Sequence, residues 1–292
     1  MTATTAQTGA TIESCLAEAT ARLQAAEVDN PRREARLLLA HATGLDQAAL
    51  IGHPDRPVAE RQRFLDLVER RARREPLAQI LGQREFWSLA FRVTADTLDP
   101  RPESESLVEA ALVAVADRRN DKLSILDLGT GTGCLLLAIL SELPQARGVG
   151  VDISPEAIAV AQDNAWRLSM QTRTRFLVSN WADAIDATFD LVISNPPYIA
   201  RDDIERLQPE VALYEPRLAL DGGADGMVSY RDLCRALPRL IRMGGHAAVE
   251  VGDGQWEAVA ALFRAAHLHV HAPVTDLSGT RRGVVCTPAG KR

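Results

Sequence analysis

From residue 123 onward, short apolar runs alternate with longer amphipathic stretches. Runs of four to six apolar or β-branched residues that end in turn formers read as buried strands. By that pattern strands are predicted at 123–128, 148–153, 175–178, 191–194, 246–251, 268–272 and 283–287. Helical spacing predicts helices at 133–143, 155–168, 227–241 and 255–266 between them. Repeated strand–helix units imply a mostly parallel sheet covered on both faces, because each crossover lays a helix on the sheet.

The first third reads differently. Residues 11–82 carry helical periodicity only. Asn30-Pro31 supplies a cap followed by proline at the first helical position, and Gly44 closes that segment. A short helical stretch follows at 46–51, Pro57 is expected to open the next helix, and 76–81 forms the last. Short connections between such segments predict a small helical bundle. The aromatic and β-branched run Phe86-Trp87-Ser88-Leu89-Ala90-Phe91-Arg92-Val93 suits a hairpin, and 103–118 reads as one amphipathic helix. The expected domains are therefore 1–83, a hairpin linker at 84–100, and 101–292.

Charge separates the two parts. Residues 1–86 hold 12 arginines and 12 acids, so the whole net charge of −6 falls in the remainder. An acidic half joined to a neutral one is a poor match for nucleic-acid phosphates, and no direct nucleic-acid binding is expected. Cys15, Cys134, Cys234 and Cys286 are far apart, which argues against a zinc ribbon or disulfide scaffold. No apolar run has the length of a membrane span, and the first residues lack the layout of a signal peptide. A cytoplasmic protein with reduced thiols and a disordered first ten residues is expected. The cluster Arg70, Arg71, Arg73 and Arg74 reads as a solvated helix end rather than a partner-binding patch. His267, His269 and His271 share one strand face, but no acid or thiol completes a metal site, and none is expected.

Two turns carry the candidate chemistry. The first, Ile125-Leu126-Asp127-Leu128-Gly129-Thr130-Gly131-Thr132-Gly133, is a strand that runs into a glycine-rich turn and a helix. A dinucleotide would call for glycine at the position of Cys134. The G-x-G-x-G spacing, with Asp127 two residues ahead of it, favours S-adenosylmethionine, which has no phosphate but carries two cationic groups. Asp152, at the end of the second strand, is placed to accept both ribose hydroxyls. Trp181, after the third strand, is placed to stack on adenine. Expected cofactor contacts on this reading are Gly129, Thr130, Gly131, Thr132, Gly133, Asp152 and Trp181.

The second turn is Ser194-Asn195-Pro196-Pro197-Tyr198, directly after the apolar run 189–193. Each proline fixes its own φ and pushes the preceding residue into extended backbone, which makes a stiff corner. Asn195 can accept one N–H of a planar –NH2 group and the Pro196 carbonyl the other, with Tyr198 against the plane. Held in this way, the nitrogen lone pair is aimed for in-line displacement. The expected catalytic residues are Asn195, Pro196 and Tyr198, which on this reading also hold the substrate. Glu250 ends the strand 246–251, where a cleft-facing and a packing role are equally expected.

With these residues in place, the chain resembles the bacterial release-factor glutamine methyltransferases (HemK/PrmC family) over nearly its whole length. The likeness rests on Arg84-Glu85-Phe86-Trp87-Ser88-Leu89, Arg101-Pro102-Glu103-Ser104-Glu105, the glycine turn, Ser194–Tyr198, Glu215-Pro216 and Gly222-Gly223-Ala224-Asp225-Gly226. Ser104 stands where the family often has threonine, and Asn180 where it often has aspartate. The resemblance implies a class I S-adenosylmethionine-dependent methyltransferase, Rossmann-like and α/β, with a mostly parallel seven-stranded sheet and a small N-terminal helical bundle that binds the substrate protein. It implies methylation of the side-chain nitrogen (N5) of the glutamine in the Gly-Gly-Gln tripeptide of peptide-chain release factors, with cofactor contacts at Gly129–Gly133, Asp152, Trp181 and Asn195 and substrate-binding contacts at Asn195, Pro196, Pro197 and Tyr198. Asn-Pro-Pro-Tyr is shared with DNA adenine-N6 and rRNA guanine-N2 methyltransferases, which are the alternative.

Overall fold

The computed structural model describes residues 10–289. The disorder expected of the first ten residues concerns a segment that, Ala10 apart, lies outside them. Five helices come first: α1 (Ile12–Ala25), α2 (Pro31–Thr43), α3 (Gln47–Gly52), α4 (Arg61–Ala72) and α5 (Leu77–Leu81). A hairpin follows, β1 (Gln83–Phe86) and β2 (Leu89–Arg92). Then come α6 (Glu105–Ala114), β3 (Ser124–Leu128), α7 (Cys134–Glu142), β4 (Arg147–Asp152), α8 (Pro155–Arg167), β5 (Thr174–Val178) and β6 (Phe189–Ser194). The chain continues with α9 (Pro209–Tyr214), α10 (Val228–Leu240), β7 (Ile241–Glu250), α11 (Trp256–Ala265), β8 (Leu268–Val270), β9 (Val274–Thr275) and β10 (Arg281–Pro288).

Two compact units result. One holds residues up to Gly82 together with Pro209–Tyr214, and the other holds Gln83–Gln208 and Glu215 onward. In the first unit α1, α2 and α4 bury one apolar stripe each. Ile12, Leu23, Leu38, Leu39, Phe64 and Val68 meet in a common core. Pro57 does not open α4, which starts at Arg61. Pro57 instead pairs with Thr11 in an isolated bridge, which ties the start of α1 to the loop. The clustered arginines divide: Arg70 and Arg73 are the exposed helix end expected of them, while Arg71 and Arg74 are turned inward. Arg71 is 4% exposed and pairs with Glu34 and Glu210. Arg74 also pairs with Glu210, Arg70 with Glu75, and Arg73 with Glu69.

In the second unit the sheet runs β5-β4-β3-β6-β7-β10-β8, with β9 paired to β10. The ladder from β5 through β7 is parallel, and β10 is antiparallel to β7, β8 and β9. Successive residues of each central strand serve opposite faces. Ile125, Leu191, Ile193 and Ala248 join the core made with α6, α7 and α8. Leu126, Val192, Ala247 and Val249 join the one made with α10 and α11. Covering both faces explains why these strands read as unbroken apolar runs. The predicted 103–118 helix is interrupted: Pro102–Ser104 is a 3-10 turn, α6 ends at Ala114, and another 3-10 turn spans Ala116–Arg118. The short helical turns Arg201–Arg206 and Arg217–Ala219, the helix α9 and the two-residue β9 carry no periodicity that predicts them. Among the described residues no helix is long and apolar enough to cross a membrane.

Candidate active site

Strand order fixes where a site can form. From β3 the chain moves outward through β4 and β5, then returns to place β6 on the other side of β3. At such a reversal the loops leaving adjacent parallel strands diverge and open a crevice at the carboxyl edge. Asp127 of β3 is level with Ile193 of β6, so the glycine turn and the Asn195 corner leave neighbouring strand ends. Asp152 ends β4 beside Leu128 and opposite Val178 of β5, and Ser194 is level with Val249 of β7. A single cavity of about 390 Å3 opens along this edge. Its lining includes Gly129, Thr130, Gly131, Thr132, Asp152, Asn180, Trp181, Asn195 and Pro197.

The turn after β3 is made by glycine geometry. Gly129, Gly131 and Gly133 have φ of 76°, 53° and 80°, a region that side-chain-bearing residues rarely enter. The N–H groups of Gly129 and Thr130 donate to the Val151 carbonyl at 2.8 and 2.9 Å. Asp152 accepts from the Gly131 N–H at 2.9 Å and from the Ser154 N–H at 3.0 Å, so its carboxylate is held toward the turn. Gly133 caps α7 and lies outside the cavity lining. Asp127 is fully buried, with Oδ2 accepting from the Thr130 hydroxyl at 2.7 Å. Its Oδ1 has no partner among the described residues. Burial pushes its carboxyl up to about 7, Thr130 offsets part of that, and the charge of Asp152 adds to it.

This construction fits an adenosyl cofactor that carries cations. The cavity has the volume of a small-molecule site. The acid in its lining is Asp152, with the buried Asp127 behind the turn, where a pyrophosphate site would need only N–H donors.

At the corner the side chains divide. Pro196 is buried. Tyr198 is not part of the cavity lining; its hydroxyl donates to Glu250 Oε1 at 3.4 Å. Burial first, and the Glu250 charge second, raise the Tyr198 phenol above its ordinary value. Asn195 Nδ2 donates to Ser104 Oγ at 3.3 Å, and Ser104 Oγ donates to Glu250 Oε2. Glu250 is 3% exposed, and burial pushes its carboxyl up to about 7.

Sequence reasoning missed Ser104 as a site residue and left Glu250 undecided. The available signal was the place of Glu250 at the carboxyl end of a parallel strand, which is the ligand edge of such sheets. It also missed the wall formed by Ala95–Leu98 and the rim residues Pro216 and Leu218, whose segments have no periodicity. Gly226 finds a physical reason here. A Cβ on it would stand 2.5 Å from the Tyr198 carbonyl oxygen, so the loop after the corner can close only on glycine. The histidine rings sit close, with His269–His271 centroids at 4.9 Å and His246–His271 at 6.2 Å. Among the described residues no group of three or more His, Cys, Asp or Glu side chains could hold a metal ion.

A mostly parallel sheet with this strand order, a glycine turn backed by an acid, and a second acid at the next strand end define a class I S-adenosylmethionine-dependent methyltransferase. Residues 14–82 match the family described as PrmC N-terminal domain, and residues 107–216 match the methyltransferase small domain. The chain is 46% identical over 269 residues to the release factor glutamine methyltransferase of Cereibacter sphaeroides, covering 91% of this chain and 95% of that one. It is 48% identical over 263 residues to the protein of that name from Rhodospirillum rubrum, covering 89% and 80%. A solved structure, the hMettl16 catalytic domain in complex with the MAT2A 3'UTR hairpin 1, shares the fold with a TM-score of 0.56 at 14% identity, covering 76% of this chain and 80% of that one. The chain belongs to the family of release factor glutamine methyltransferases.

Proposed function

We propose that this enzyme methylates the side-chain amide nitrogen, N5, of the glutamine in the Gly-Gly-Gln tripeptide of peptide-chain release factors. The observation that carries the reading is Asn195 lining the same cavity as the glycine turn and Asp152. Both relatives named above are release factor glutamine methyltransferases, which supports the choice of acceptor. When bound, S-adenosylmethionine supplies an electrophilic methyl group on a cationic sulfur.

The protein's part is to hold and orient. Gly129–Gly133, Asp152, Trp181 and Asn195 form the cofactor side, and Asp127 lies buried behind the turn, bonded to Thr130. Asn195 accepts one N–H of the glutamine amide through Oδ1, and the Pro196 carbonyl accepts the other. Two acceptors hold the planar amide with its lone pair toward the cofactor side and stabilise positive charge as it develops on nitrogen. Pro197 and Tyr198 stiffen and back the corner. No base is needed beforehand, because the amide proton is acidic enough to leave once the nitrogen has become cationic. The helical unit, residues 1–83, is assigned the binding of the release factor, with the hairpin at 84–100 as linker to the 101–292 domain.

The test is incubation of the purified protein with methyl-labelled cofactor and a release factor, beside the same factor with its tripeptide glutamine replaced by alanine, and beside DNA and RNA. Label on the glutamine-containing factor alone is expected. Equal labelling of both factors, or labelling of nucleic acid instead, overturns the assigned acceptor.

A further inference from the structure

We propose that Ser104 and Glu250 are positioning residues that set which end of the Asn195 carboxamide faces the acceptor. The inference rests on the reading that the acceptor is a primary amide or amine.

The argument is one of donor and acceptor counts. An ionised carboxylate only accepts hydrogen bonds, a hydroxyl has a single proton to donate, and a carboxamide has a donor end and an acceptor end. Glu250 ends β7 and is almost wholly buried. Its Oε2 accepts from Ser104 Oγ and its Oε1 from the Tyr198 hydroxyl at 3.4 Å. The one hydroxyl proton of Ser104 therefore points at Glu250. Toward Asn195, Ser104 can then only accept, and Asn195 must present Nδ2, as it does at 3.3 Å. That leaves Oδ1 for the acceptor's N–H. With the amide reversed, an –NH2 of the enzyme would face the –NH2 of the acceptor and the clamp would repel what it should hold. The 3-10 turn Pro102–Ser104, which runs directly into α6, delivers the buried serine to this point.

The relay carries a pH dependence. Ser104 and Glu103 face Glu250 from the turn before α6, Tyr198 from the corner, Arg282 from β10, Cys134 from α7 and Tyr230 from α10. Burial raises the Glu250 carboxyl most. Ser104, Arg282 and Tyr198 lower it, Glu103 raises it, and the result is about 7. Below that pH a protonated Glu250 can donate to Ser104. The serine proton is then free to turn to Asn195 and reverse the amide.

The test uses the full chain with Ser104→Ala, Ser104→Thr, Glu250→Gln and the Ser104→Ala/Glu250→Gln pair, at saturating cofactor. Ser104→Ala and Glu250→Gln are expected to lower kcat on the order of 10-fold, the scale seen for groups that orient a reacting residue at one remove. Cofactor affinity and Tm should stay near wild type, and Ser104→Thr, which keeps the hydroxyl, should recover the rate relative to Ser104→Ala. The double variant should be no slower than the slower single one, because both act on one amide. Wild-type kcat should fall as pH drops through about 7, and Glu250→Gln should flatten that limb. A readout independent of the acceptor is the NMR exchange of the Asn195 Hδ2 protons, slow in wild type and fast in Ser104→Ala. Protected Asn195 protons with no labelling of the release factor would keep the relay and overturn the acceptor. A labelled release factor with wild-type kcat and exchange in Ser104→Ala would overturn the relay, and so would losses matched by equal losses of Tm and cofactor affinity.

Discussion

The two halves of the cavity are built on different plans. The half proposed to hold the cofactor comes mainly from one stretch of chain, Asp127 to Ser154, with Trp181 added from the loop after β5, and its polar contacts are largely between backbone and carboxylate. The Gly131 and Ser154 N–H groups hold Asp152, and the Val151 carbonyl holds the turn. The acceptor half is made of side chains that meet across the fold. Ser104 is 91 residues from Asn195 and 146 from Glu250. A backbone-built half depends on φ values and tolerates few residue types, but its geometry is complete once the turn forms. A side-chain-built half depends on the register of β6 against β7, which brings Ser194 level with Val249 and so Asn195 near Glu250. Its polarity is set by protons rather than by backbone shape.

If that division holds, variants on the two sides should fail in different ways. The largest effect is expected from Asn195→Ala, which removes the acceptor from the clamp. Methyl transfer should fall by about 100-fold or more, the cost of losing one preorganised polar group, measured at saturating cofactor. Near-normal turnover would remove Asn195 from the chemistry. Asp152→Ala should fail on the other axis. It removes a charged acceptor from two N–H groups and from the proposed ribose contact, so the cofactor Kd should rise by about 10- to 100-fold. An unchanged Kd would show that Asp152 serves the turn alone.

The same division explains what the sequence disclosed. The glycine turn, Asp127 and Asp152 were legible because spacing along one short stretch is itself the geometry. The corner was legible for a similar reason, since two prolines after a buried strand fix the backbone locally. The sheet core was legible from unbroken apolar runs. Ser104 was not, because a serine at a helix start reads as a cap, and nothing near it in sequence names its partner at Glu250. Arg71 and Arg74 misled in the same way. Local sequence shows a basic helix end, while Glu210, the half-buried partner of Arg71 and Arg74, lies 136 residues from Arg74. Residues 201–219 were opaque because their turns are short and stabilised by tertiary contacts rather than by periodicity.

Two glycine substitutions sharpen the comparison at smaller cost. In Gly226→Ala the new methyl would stand 2.5 Å from the Tyr198 carbonyl oxygen and 2.8 Å from Gln255 Nε2, at a φ of 71°. The Gln255 amide donates to that same carbonyl at 2.9 Å, so the methyl cannot be accommodated without moving the corner. A loss of about 1–3 kcal/mol is expected from overpacking in addition to backbone strain, read as a lower Tm together with a lower kcat. In Gly131→Ala no protein atom lies within 4 Å of the new methyl. Only the left-handed φ of 53° opposes it, and the loss should be about 1 kcal/mol, which lowers Tm by a few degrees. A thermal melt of both variants without cofactor separates the two costs. If Gly131→Ala proves the more damaging, the cofactor turn is not held by backbone φ alone, and the contrast between the two halves of the cavity is wrong.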